Sequence, residues 1–190
     1  MARWQSGARD RLQRAALELY AARGFDGVTV AEIAAAAELT ERTFFRHFAD
    51  KREVLFVSQV EFEAAFLGGV DSAPGEDPLA MVEAALAAAA ELFPGERRPW
   101  SRARQAVIAA NLALQERELL KLSSLATAIT GTLVERGVDA ITAALAAESG
   151  VTVFRTAFAT WIGPGEERPF AEVQGAVLAE LHALLGRPAR

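Results

Sequence analysis

Three observations predict an all-α protein of nine helices. Apolar residues recur at helical spacing along most of the chain, capping residues and glycines bracket those runs, and much of the 52 % apolar composition is alanine. Alanine favours helix without demanding β-structure and lets helices approach closely. At 190 residues there is room for one large helical domain or for a small domain fused to a larger one.

The first helix is expected from Ser6 to Arg23. Leu12, Ala15, Ala16, Leu19 and Tyr20 form its buried face, Ser6 is its N-cap and Gly24 its stop. Thr29 and Glu32 have the spacing of a capping box ahead of Ile33, Ala34 and Ala37, which predicts a short second helix. Glu38 and Leu39 interrupt, and Thr40 caps a third helix over residues 41–48. Asp50-Lys51-Arg52-Glu53 predicts the start of a fourth helix, with Val54, Leu55, Val57, Phe62 and Phe66 on its apolar face.

Gly68-Gly69 and the turn-rich stretch 71–78 form the clearest composition break, where a domain boundary fits. Pro78 opens a fifth helix carrying Leu79, Val82, Leu86, Ala89 and Phe93, and Pro99 opens a sixth through Val107 to Ala110. A long seventh runs from Leu112 to Gly137. An eighth runs from Asp139 to Ile162, with a kink expected at Gly150. The ninth, Pro169 to Leu185, buries Phe170, Val173, Val177, Leu181 and Leu184, while Gly175, Ala176 and Ala179 keep its profile low.

Composition excludes several functions. No run of about 18 uncharged apolar residues is present and the first residues lack a signal-peptide core, so a cytoplasmic protein without membrane association is expected. Cysteine is absent, and the two histidines, His47 and His182, stand far apart, which argues against disulfides, metal sites and hydrolytic chemistry. No cofactor or enzymatic activity is expected. The net charge of −5 opposes nucleic-acid binding until its distribution is seen: residues 1–52 carry nine basic and seven acidic side chains, and the remainder 11 and 18. The basic part comes first.

The pattern Ala15-Ala16…Leu19-Tyr20, Gly24-Phe25, Thr29-Val30…Ile33-Ala34, Leu39-Thr40…Thr43-Phe44-Phe45…His47-Phe48…Lys51…Val54-Leu55 resembles the DNA-binding domain of the TetR family over about a quarter of the chain. The resemblance implies a helix-turn-helix domain at 1–52 and a ligand-binding and dimerisation domain at 53–190. It further implies a homodimer on palindromic double-stranded operator DNA, most often a repressor. A short helix enters the major groove only when a second helix braces it, a task that suits Leu39, Phe44 and Phe48.

On that reading Thr40, Glu41, Arg42, Thr43 and Arg46 lie near base edges, and Arg42 is the foremost base reader because a guanidinium spans guanine O6 and N7. The helix-two amides at Thr29, together with His47 and Lys51, suit phosphate. Two departures stand out. Glu38 occupies a place where the family often has glycine, which predicts backbone strain of about 1 kcal/mol. Phe45 replaces the family's usual tyrosine, which leaves it to pack on sugar or a thymine methyl.

Arg102, Arg104, Ile108, residues 111–119 and Phe154, Phe158 and Trp161 are similar to the branch that contains the mycofactocin regulator, whose ligands resemble acyl-CoA. That implies an apolar or acyl effector lined by Phe62, Phe66, Leu86, Phe93 and Phe158. Arg104 or Arg117 would then meet an anionic head group, and Trp100 and Asn111 would supply a wall and an anchor. Pairing of the two arginines with nearby glutamates, and a capping role for Asn111, are the alternatives. Phe154, Trp161, Val173, Val177 and Leu181 are expected at the dimer contact. A helical lipid-binding protein or interaction module without operator binding remains the alternative function.

Overall fold

The computed structural model describes residues 7–56 and 59–186. Ser6, the expected first cap, and Val57, assigned to the fourth helix, lie outside them. Among the described residues there are nine α-helices and no strand: α1 Ala8–Arg23, α2 Val30–Ala36, α3 Glu41–His47, α4 Gln59–Ser72, α5 Pro78–Ala90, α6 Arg98–Ala109, α7 Leu112–Glu135, α8 Ala140–Trp161 and α9 Phe170–Leu184. No single helix among them is long and apolar enough to cross a membrane.

Two helix starts follow the caps read in the sequence, at Thr29 and Thr40, and Asp77 and Asp139 supply two more. The Thr29 hydroxyl accepts from the Glu32 amide while the Glu32 carboxylate accepts from the Thr29 amide. Thr40 accepts from the Thr43 amide, Asp77 caps α5 ahead of Pro78, and Asp139 accepts from two amides of α8. The expectation of a fourth helix opening at Asp50 is corrected. The Asp50 carboxylate caps only a 3-10 turn at Glu53–Leu55, and α4 begins at Gln59.

The chain divides into two compact units. One contains residues 7–56 and 103–118, the other 59–102 and 119–186. A single linear boundary after residue 52 does not describe this division, because α6 and α7 each contribute one end to each unit. The boundary expected near 68–78 is also corrected, since α4, the following turn and α5 all lie in the second unit.

In the first unit α1 packs on α2, α3 and the 3-10 turn through Leu12, Ala16, Tyr20, Ile33, Phe44, Val54 and Leu55, all buried. In the second, α4 pairs with α5, and α5 and α9 pack on α8. Gly69 does not break α4. A Cβ there would stand 2.5 Å from the Ala85 Cα, so glycine lets α4 and α5 touch backbone to backbone. Gly150 likewise does not interrupt α8; its missing Cβ leaves room for Val82 of α5.

Arginines close helix ends in this unit. Arg136 donates to the carbonyls of Val70, Asp71, Ala73 and Gly75 at the end of α4, and Arg102 to those of Ile162 and Gly163 at the end of α8. Each supplies donors to carbonyls that a helix terminus leaves unpaired.

Candidate nucleic-acid interface and effector residues

The second and third helices are joined by a turn that a single backbone angle makes possible. Glu38 has φ 55°, in the left-handed region. Its amide donates to Ala35 and the Leu39 amide to Ala34, the paired bonds of a Schellman stop. Glycine would adopt this angle freely, so the glutamate stores about 1 kcal/mol of strain.

That turn presents α3 with one face inward and one outward. Phe44 is fully buried and Phe48 nearly so, their ring centroids 5.4 Å apart, whereas Leu39 is only half-buried. Glu41, Arg42, Phe45 and Arg46 are exposed, together with the cap Thr40, and Thr43 is half-buried. The Arg42 and Arg46 side chains make no hydrogen bond or ion pair among the described residues, so their donors are available. Phe45 is 55 % exposed, an apolar ring held in water one turn along from Arg42. The Thr40 and Thr43 hydroxyls lie 3.0 Å apart and bond each other.

Three expected phosphate ligands are engaged otherwise. The Lys51 ammonium donates to the carbonyls of Phe25 and Val28 at 3.0 and 3.1 Å and stands 4.2 Å from the Phe25 ring centroid, so it staples the first unit internally. The Thr29 amide and hydroxyl are both consumed by the capping box. Burial, then the neighbouring Arg46 and Arg9, hold the His47 imidazole below its ordinary range, and its buried Nε2 has no partner among the described residues. Both causes disfavour the charged imidazole.

Arg9 escaped the sequence reading. Its guanidinium lies 4.9 Å from the Phe48 ring centroid, which brings a cation beside the end of α3. A basic residue in the first turn of a helix gives no such signal until α1 and α3 are packed together.

The residues assigned to an effector separate into two groups. Phe62, Phe66, Leu86, Phe93 and Phe158 belong to the core of the second unit, where rings of α4, α8 and α9 touch one another; Phe62 and Phe154 are 5.3 Å apart, Phe93 and Phe158 5.6 Å. Trp100 is half-buried in that unit, with Arg97 5.9 Å from its ring centroid. Arg104, Asn111 and Arg117 lie in the first unit instead.

Arg104 pairs with Glu118 at 3.1 Å, donates to the Leu55 carbonyl and stacks on Phe56; Arg117 pairs with Glu53. Asn111 caps α7 by accepting from the Leu114 amide and donates to Asp26. An anionic head group at these arginines is thus corrected to internal ion pairing, since two partly buried glutamates already neutralise them.

The expected dimer contact is corrected in part. Trp161, Val173 and Phe154 are 0 %, 1 % and 6 % exposed, filling the core of a single chain, while Val177 and Leu181 are half-buried against it. The exposed side of α8 and α9 instead carries Ile141, Leu145 and Leu184 with Gly175, Ala176 and Ala179.

Three packed helices with the third facing outward are the arrangement of a helix-turn-helix domain, and only helices follow among the described residues. Residues 12–57 match the family model of bacterial regulatory proteins, tetR family. The HTH-type transcriptional regulator TcmR of Streptomyces glaucescens is 46 % identical over 81 residues, which is 42 % of this chain and 36 % of that protein, so the match spans about a third of the relative's length.

Two solved structures share the whole architecture. The FadR of Bacillus subtilis in complex with stearoyl-CoA gives a TM-score of 0.61 at 17 % identity over 90 % of this chain and 96 % of that one. The FadR repressor of Thermus thermophilus in complex with lauroyl-CoA gives 0.53 at 23 % identity over 96 % of each. The fold is TetR-like, and residues 12–57 are the part that matches the tetR family model.

Proposed function

We propose that this protein is a ligand-responsive transcriptional regulator, a repressor, that binds a palindromic operator as a homodimer and is released by a small, mostly apolar effector. The observation that carries the reading is the outward face of α3, where Arg42, Phe45 and Arg46 project while Phe44 and Phe48 hold the helix in place. Among the described residues both guanidiniums keep their donors available, and such donors suit phosphate oxygens and guanine edges.

A second copy supplies the second recognition helix, which two-fold symmetry sets one DNA turn, about 34–36 Å, from the first. The exposed apolar and small residues of α8 and α9 form the self-complementary face. The effector enters the second unit, whose aromatic core supplies apolar surface. Because α6 and α7 contribute to both units, repacking around a ligand in one acts on residues of the other, including Arg104 and Arg117 with their glutamate partners.

The acyl-CoA complexes of the two structural relatives support an apolar effector in this fold. A free cationic anchor for a CoA head group is not offered by Arg104 or Arg117. A gel shift with DNA from upstream of the protein's own gene tests the reading. Specific retardation that competes with unlabelled probe but not with random DNA is expected, and its absence at micromolar protein returns the chain to a helical binding module.

A further inference from the structure

Two polar atoms inside the second unit lack any hydrogen-bond partner among the described residues. They are Nε1 of Trp161, which is 0 % exposed, and Oε1 of Gln174, which is 5 % exposed. They stand on α8 and α9, which pack against each other. Phe170 links them: its ring centroid is 5.5 Å from that of Trp161, and it precedes Gln174 by one turn on the same face of α9. A third unpartnered atom, a second donor, is close, because the Arg98 guanidinium lies 5.1 Å from the Trp161 ring centroid and its buried Nε has no partner among the described residues.

An unmade buried hydrogen bond costs about 1–3 kcal/mol, and phenylalanine or leucine at these positions would avoid it. The indole can only donate and the amide oxygen can only accept, yet they do not satisfy each other. One atom that accepts from the first and donates to the second would satisfy both, and a hydroxyl is the group that does so. Its surroundings are aromatic. Phe93 stands 4.9 Å from Phe170 and 5.5 Å from Phe154, and Phe154 stacks on Phe158. Such walls reward a flat ring through edge and face contacts beyond area alone, whereas an acyl chain gains only from area. Phe93 and Phe158 are half-buried, at the outer edge of this cluster.

We propose that the second unit binds a hydroxylated aromatic molecule, with its ring among Phe93, Phe154 and Phe158 and its hydroxyl bridging Trp161 Nε1 and Gln174 Oε1. The proposal rests on the reading of this unit as the effector domain and names the effector's class as phenolic.

Calorimetric titration of the full chain with 2-naphthol and with naphthalene tests it. The hydroxylated probe is expected to bind about tenfold more tightly, a preference that falls to near unity in Trp161→Phe and in Gln174→Leu. Gln174→Leu should melt no lower than the parent, because it removes an unpaired polar atom at similar volume, and it decides the matter if Trp161→Phe, which also leaves a cavity in the core, does not fold. Equal affinity for the two probes, binding of neither, or a preference retained in the folded variants overturns the proposal. Retardation of the operator by the parent protein, measured in parallel, keeps the regulator reading standing in that event, and failure of the gel shift alone removes that reading without touching the probe result.

Discussion

The Lys51 ammonium lies 4.2 Å from the centroid of the Phe25 ring and donates to the Phe25 carbonyl at 3.0 Å. One residue thus fastens the turn after α3 to the loop between α1 and α2, aided by the Tyr20 hydroxyl, which donates to the Lys51 carbonyl at 2.7 Å. Lys51→Ala should therefore destabilise the head by about 1–2 kcal/mol through lost hydrogen bonds and cation–π contact. Urea unfolding of the full chain measures this. An unchanged midpoint with a salt slope of operator binding lower by about one unit would return Lys51 to the phosphates.

Arg42 has no partner among the described residues and should behave in the opposite way. Arg42→Ala is expected to weaken operator binding by about 1–3 kcal/mol, with weak binding to random DNA and thermal stability both nearly unchanged. Anisotropy titrations with operator and scrambled duplexes separate these effects. Equal losses on both duplexes would make Arg42 a backbone contact.

Gly69 and Gly150 should differ in their tolerance of a methyl group. At Gly69 a Cβ meets the backbone of Ala84 and Ala85, and at Gly150 it meets a Val82 methyl. Gly69→Ala must part α4 from α5 and should cost about 2–3 kcal/mol; Gly150→Ala, where one side chain can shift, should cost about 1 kcal/mol after the gain in helix propensity. Melting temperatures in the reverse order would refute this account of the two crossings.

The proposed dimer face and the core should respond differently to charge. Leu145→Glu should yield a folded monomer, because it places charge on the exposed side of α8, whereas Val173→Glu should prevent folding, because it buries an unpaired carboxylate. Sedimentation and circular dichroism distinguish the two. A Leu145→Glu protein that sediments as the parent does moves the contact elsewhere.

Acid should open the head at α2. The Thr29 amide, then the Arg23 guanidinium, hold the Glu32 carboxyl down to about 2 from its ordinary 4.5. A lowered folded pKa means that this contribution is complete above the unfolded value and is lost as pH falls from about 4.5 through about 2. Glu32→Ala should flatten that limb of the stability–pH curve, and a curve identical to the parent's would show that the box contributes nothing.

The local chemistry of the head was legible because it is written in consecutive residues. Thr29 and Glu32 specify a capping box, Thr40 a helix start, and Phe44 and Phe48 a buried side, each within one or two helical turns. The order of the helices was legible in the same way, although α4 opens at Gln59 and not at Asp50. The strain at Glu38 was expected only from the family resemblance, and its backbone angle of φ 55° is the structure's finding.

What tertiary structure alone decided concerns partners distant in the chain. Lys51 appears in sequence as a free cation beside a helix start, and only the folding of α1 against the loop after it brings the carbonyls of Phe25 and Val28 within reach. Arg117 and Glu53 are 64 positions apart, so periodicity cannot reveal that one neutralises the other. Phe154, Trp161 and Val173 are apolar on either reading. Whether such a face meets its own chain or a second one depends on how helices cross, and here Gly69 and Gly150 set that crossing by permitting contacts too close for any side chain.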